Sequence, residues 1–144
     1  MKISTRTRYG IRAMIELAQD YGMGPLQVRI IAQRQDLSVK YLEQLMILLK
    51  SAGYIKGIRG SKGGYILARD PKLIKLSDVF CVLESSVTTV DCLEDEGYCN
   101  RITDCVIRQV FSDVQQAIMN VLSAVTLQDL ADKAKNKKAS FYQI

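Results

Sequence analysis

The chain has 144 residues, 48% of them hydrophobic, which suits one real core, with or without an appended oligomerisation element, rather than several domains. Its net charge of +5 is uneven: residues 1–70 hold 12 Lys and Arg against 5 Asp and Glu, and residues 71–144 hold 8 against 10. No secretory leader or membrane-length apolar run is present, so the expectation is a cytoplasmic protein, away from membranes, whose four cysteines stay as thiols.

The apolar spacing predicts a first helix over residues 7–21, with Ala13, Met14, Leu17, Ala18 and Tyr21 on one side, broken by Met23-Gly24-Pro25. A short second helix follows over residues 27–34, burying Val28 and Ile31, with Ile30 and Ala32 as further candidates. The turn Gln35-Asp36-Leu37 leads to a third helix, for which Ser38 is a suitable N-cap. There Val39, Leu42, Leu45, Met46 and Leu49 form an apolar stripe. Lys40, Tyr41, Glu43, Gln44 and Lys50 on the opposite face can bond phosphate or base edges. Gly53 stands where a left-handed C-cap is wanted.

A basic hairpin comes next. Tyr54, Ile55 and Ile58 precede the tip Arg59-Gly60-Ser61-Lys62-Gly63-Gly64, and Tyr65, Ile66 and Leu67 follow it. Three glycines in five positions permit close backbone approach, while Arg59 and Lys62 bring charge suited to a narrow minor groove. A solvated hairpin beside a core helix would look similar in isolation. The order helix, turn, helix, basic wing within a basic half argues instead for a winged helix-turn-helix that binds DNA.

After Pro71, residues 76–84 read as a fourth helix with Val79, Phe80 and Leu83 inward, and Cys81 as a buried small hydrophobe. Cys92, Cys99 and Cys105 then follow as C-x6-C-x5-C on a polar stretch. Three thiols within fourteen residues suit a metal or iron–sulfur cluster, a thiol redox switch, or no chemistry at all; the spacing is poor for a compact zinc site. With no histidine in the chain, a fourth ligand would come from Asp91, Glu94, Asp95, Glu96, Asp104, Cys81, a partner subunit or an exogenous group. Beyond the thiols, residues 101–124 read as a long helix. Ile107, Phe111, Val114, Ile118, Val121 and Val125 form a heptad-like seam beside a second stripe of Val106, Val110, Ala117 and Ala124. Such a helix can pack on its own domain and on a second copy, which predicts a homodimer on a near-palindromic double-stranded operator. The Lys-rich C-terminal dozen is expected to be poorly ordered or on the surface.

The expected fold is mainly α with a small β-wing. It comprises a winged helix-turn-helix DNA-binding domain (1–85), a cysteine-bearing loop (86–105), a dimerisation helix (101–125) and a C-terminal tail (126–144). No catalytic constellation accompanies the thiols, so an enzyme is not expected.

Several landmarks together resemble the Rrf-type winged-helix transcriptional regulators, with their IscR-, NsrR- and CymR-like branches. They are Met1-Lys2-Ile3-Ser4-Thr5-Arg6 with Arg8-Tyr9-Gly10, then Tyr41-Leu42-Glu43-Gln44-Leu45, Arg59-Gly60 through Gly63-Gly64-Tyr65, and Thr126-Leu127-Gln128-Asp129-Leu130. The resemblance covers nearly the whole chain. It implies a homodimeric repressor or activator whose iron–sulfur cluster, of two-iron or four-iron type, is held by Cys92, Cys99 and Cys105 and modulates operator binding. It also implies Ser38, Lys40, Tyr41, Glu43 and Gln44 in the major groove and Arg59 in the minor groove. The chain departs from the cluster-regulator branch in having Arg108 where that branch has a histidine. It departs from the nitric-oxide branch in having Arg8 where that branch has an aspartate. Its two ends look more like the cysteine-metabolism branch, whose members lack the cluster cysteines. The leading expectation is therefore a regulator sensing iron–sulfur status, redox or nitric oxide. The alternative is a cluster-free repressor of sulfur or cysteine metabolism controlled by a protein partner or by thiol oxidation.

Overall fold

The structure, a computed structural model, describes residues 2–142; Met1 of the opening motif and residues 143–144 of the C-terminal segment lie outside them. The order is α1 (Thr5–Gln19), α2 (Val28–Gln35), α3 (Val39–Ser51), β1 (Ile55–Ile58), β2 (Gly64–Leu67), α4 (Leu76–Leu83), α5 (Val106–Ser123) and α6 (Leu127–Tyr142). Short 3-10 turns cover Pro71–Leu73 and Asp91–Leu93. Among the described residues no helix is long and apolar enough to cross a membrane.

Ser4 caps α1 by accepting the Thr7 amide, and Gly10, Ala13, Met14, Leu17 and Ala18 then recur at helical steps into the core. Gly10 is where α4 presses closest: a Cβ there would overlap the end of the Leu83 side chain. The chain leaves α2 through Asp36, at φ +53°, and enters α3 at Ser38, whose hydroxyl accepts the Tyr41 amide at 3.3 Å. Leu42, Leu45, Met46 and Leu49 are buried as their spacing predicts, while Val39 stays 41% exposed at the helix mouth. Gly53, at φ +82°, ends α3: its amide bonds the Lys50 carbonyl and the Tyr54 amide reaches that of Leu49. This paired arrangement satisfies the last free carbonyls of the helix.

β1 and β2 form an antiparallel hairpin with Ile55 opposite Leu67 and Gly57 opposite Tyr65, and Leu26 adds a bridge to Tyr65. Glycine is needed at two points of the tip. Gly60 sits at φ +118°, and a Cβ on Gly63 would overlap the Ile58 carbonyl.

Four points differ from the sequence expectation. Tyr21 lies beyond the end of α1 and is 47% exposed, and the segment expected as a tail forms α6. Cys81 is exposed rather than buried. It stands two residues from both Val79 and Leu83, hence on the side of α4 away from the core. The long helix begins at Val106, because Arg101–Asp104 turn back on themselves through an Asp104 amide to Arg101 carbonyl bond. Polar, turn-forming Asn100, Thr103 and Asp104 favour that outcome over another helical turn.

Residues 133–141 are on the surface, as turns of α6. The start of this helix is bound firmly into the body. Thr126 and Asp129 exchange side chain-to-amide bonds at 2.9 and 3.2 Å, forming a capping box. Leu127 and Ala131 are fully buried, and α6 packs along α1. The amides of Leu76 and Leu127 bond the carbonyls of Val125 and Ile74, tying the starts of α4 and α6 together.

Candidate nucleic-acid interface and cysteine loop

The buried stripe of α3 fixes its other face outward. Lys40, Glu43 and Gln44 are exposed there, joined by Ile47, which is 62% exposed and continues the same ridge. Ser38 is exposed at the N-terminus, its hydroxyl engaged with the Tyr41 amide. Tyr41 is only half-exposed: its ring meets that of Tyr9 edge-on at 6.1 Å, and the Arg8 and Arg12 guanidinium groups lie 5.8 and 5.2 Å from the Tyr9 centroid. That aromatic contact fastens α3 to α1. Arg59 and Lys62 are exposed on the hairpin tip. Among the described residues the ion pairs are those of Arg34 with Glu16 and Asp20, so the cations of α3 and the wing remain unneutralised.

Behind this surface lies a polar clamp absent from the sequence expectation. Glu16, 1% exposed, accepts from Arg34 at 3.1 Å and from the Gln35 amide. The Gln35 side chain accepts from Arg12 at 2.7 Å, and Arg12 also donates to the Gln35 backbone carbonyl. The clamp holds the last residue of α2, and so the turn into α3, against α1. The signal was available: a glutamate interrupts the apolar arc of Ala13, Met14 and Leu17.

Cys92, Cys99 and Cys105 all carry free thiols; Cys92 and Cys105 are half-buried and Cys99 exposed. Their loop leans on α5. Thr89 donates through its hydroxyl to the Phe111 carbonyl at 3.1 Å, and the Arg108 guanidinium reaches the Cys92 carbonyl at 3.3 and 3.4 Å. Arg108 therefore staples the loop and presents no lone pair to a metal. Tyr98 donates to Asp91, whose hydrogen bond and charge push the phenol pKa up, and negative charge on the Cys92 and Cys99 sulfurs acts in the same direction. Three soft thiol donors on a surface loop fit an iron–sulfur cluster by their chemistry. In placement, however, no three His, Cys, Asp or Glu among the described residues converge as a ligand set.

A helix-turn-helix whose outer helix and glycine-rich hairpin carry unneutralised cations defines a winged-helix DNA-binding protein. The chain belongs to the Rrf2 family, described as iron-dependent transcriptional regulators, whose model matches residues 3–133. It is similar to the HTH-type transcriptional regulator CymR of Bacillus subtilis (strain 168), with 40% identity over 141 residues, 98% of this chain and 97% of that one. The solved structure of CymR, the global cysteine regulator of B. subtilis, matches with a TM-score of 0.80 at 39% identity over 92% of this chain and 98% of that chain. T. potens IscR matches with a TM-score of 0.78 at 41% identity over 93% and 88%. An oxidized form of Staphylococcus aureus CymR matches with a TM-score of 0.73 at 36% identity over 91% and 96%. The protein is thus a DNA-binding transcriptional regulator and not an enzyme.

Proposed function

We propose that the protein acts as a homodimer on a near-palindromic operator, with its affinity set by the chemical state of Cys92, Cys99 and Cys105. In each protomer Ser38, Lys40, Tyr41, Glu43 and Gln44 of α3 address the major groove, and Arg59 and Lys62 address the adjacent minor groove. Cys92, Cys99 and Cys105 would hold an iron–sulfur cluster once the loop drew them together from their present placement. Such a group supplies thiolate-bound iron whose ligation responds to redox state and to nitric oxide. The observation that carries this reading is the loop itself: it bears three free thiols and is held by the Thr89 hydroxyl and the Cys92 backbone carbonyl onto α5, the helix with an uncovered apolar side.

Arg108 and Thr89 couple the loop to α5, so a change in the loop alters the helix that sets the spacing of the two recognition helices. A typical coupling of ~1–3 kcal/mol corresponds to a ~5–150-fold change in operator affinity. The test is an anaerobic ultraviolet–visible spectrum of fresh protein with iron and acid-labile sulfide assayed together. Broad visible absorption with stoichiometric iron and sulfide is expected, and its loss in Cys92→Ala with the fold retained.

A second reading is supported by the similarity to CymR, including its oxidized form, and by the lack of a converged ligand set among the described residues. Here the thiols are oxidised directly, or a protein partner controls a cluster-free repressor. A colourless, iron-free protein that resists reconstitution, yet loses operator affinity reversibly on oxidation or requires a partner, establishes this reading instead.

A further inference from the structure

Between the end of α3 and the wing lies a shallow concavity of about 280 Å³, lined by Lys50, Gly57, Ile58, Arg59, Gly64 and Tyr65. Lys50 and Arg59 are both exposed, and among the described residues neither forms an ion pair. Gly57 forms part of the floor. A Cβ on it would stand 3.5 Å from the Lys50 Nζ and 3.7 Å from the Tyr65 Cε1. Gly57 lies outside the left-handed region, so its backbone does not demand glycine. What the missing side chain allows is the Lys50 ammonium lying close against the β1 backbone within the concavity.

The topology gives that space a ligand. The major and minor grooves of B-DNA are separated by a sugar–phosphate strand, so a protein with a helix in one and a hairpin in the next must straddle that strand. On this molecule the gap between α3 and the hairpin is the concavity. We infer that it seats one backbone phosphate of the strand dividing the two grooves, with the Lys50 ammonium donating to the phosphate oxygens from its place against Gly57. The inference rests on the groove assignment proposed above. Its role is positional: a phosphate contact sets the register of α3 and the wing on the duplex and carries no base preference of its own.

The experiment measures operator affinity against salt for the full chain and for Lys50→Gln, Lys50→Arg, Gly57→Glu and Arg59→Ala, with folding checked by circular dichroism. Losing one phosphate contact reduces the slope of log K against log salt by ~0.9. Lys50→Gln is expected to lose that increment and to weaken operator and base-substituted operator by the same factor. Lys50→Arg retains the increment, and Gly57→Glu, which puts a carboxylate into the seat, loses it without unfolding. An unchanged slope in Lys50→Gln beside a reduced one in Arg59→Ala overturns the seat and leaves the groove assignment standing. Unchanged slopes in both overturn the groove assignment and the seat together. A Lys50→Gln defect confined to one operator base also overturns it, because the residue then reads sequence.

Discussion

At the scale of single residues, burial decides which polar contacts matter. Arg34 bridges two carboxylates at nearly equal distances, 3.1 Å to Glu16 and 3.2 Å to Asp20, yet Glu16 is 2% exposed at its side chain and Asp20 is 31%. Water can replace Arg34 at Asp20 but has little access to Glu16, which would keep only the Gln35 amide. Arg34→Ala is therefore expected to cost about 1–3 kcal/mol, the usual penalty for under-satisfying a buried group, with the lower end set by the guanidinium's own exposure. Asp20→Asn should cost less than about 1 kcal/mol, as exposed pairs do. Urea midpoints of the two variants make the comparison, and equal losses would remove Glu16 from the role of clamp. The clamp also explains why charge counting misses part of the fold. A glutamate in an apolar arc reads as an interruption until its partners, 18 and 19 residues away, are known.

Between elements, one carboxylate joins the start of α1 to the end of α4. Glu84 accepts from the Ser4 amide at 3.2 Å, the Ser4 hydroxyl at 3.1 Å and the Thr7 hydroxyl at 2.6 Å, while Arg6 donates to the adjacent Leu83 carbonyl at 2.6 Å. Partial burial pushes the Glu84 carboxyl up. The hydrogen bonds from Thr7 and Ser4, with the Arg6 charge, outweigh it and hold the pKa below the ordinary glutamate value. A depressed folded-state pKa contributes stability above the unfolded value, and that contribution is lost as pH falls through the folded value. The wild type should therefore lose stability on the acid side of the glutamate range more steeply than Glu84→Gln, which has no such proton to take up. Parallel urea midpoints across that range would show that the link carries no pH dependence. Sequence periodicity exposed α1 to α4 and the hairpin well, because each has a one-sided apolar stripe or a glycine-marked turn. The Glu84 link escaped because it spans 77 and 80 residues of chain. The burial of the start of α6 was partly legible: Thr126 and Asp129 have capping-box spacing, but nothing local shows that α6 packs along α1. The cysteine spacing announced a chemistry without a geometry, since a polar loop takes its shape from contacts such as Arg108 to the Cys92 carbonyl.

Across the whole molecule the unbalanced element is α5. None of its residues is buried, and its inward stripe, half-covered by α4 and the cysteine loop, runs through Arg108, Ser112, Gln115, Met119 and Leu122. Most of the heptad-like seam lies one position off that stripe and faces outward: Ile107 is 48% exposed, Val114 45% and Val121 68%, with Val110 of the second stripe at 50%, while Ile118 and Val125 are half-buried. Val114, Ala117, Ile118, Val121 and Leu122 line an open apolar groove there. Contiguous apolar surface of this kind marks an interaction face, and its seven-residue repeat suits a second copy of the same helix. Because Val114 and Val121 contribute little to the protomer's own core, Val114→Glu with Val121→Glu should leave the thermal midpoint of the monomeric body nearly unchanged while abolishing the proposed dimer. Two half-sites held by one dimer gain on the order of 10²–10⁴ in affinity over single engagement, so operator binding should fall by that order while half-site binding persists. Sedimentation equilibrium and titration of whole and half operators test both parts. A variant that still sediments as a dimer would place the interface elsewhere. A monomer with undiminished operator affinity would separate dimerisation from DNA recognition and break the proposed route from the cysteine loop to the operator.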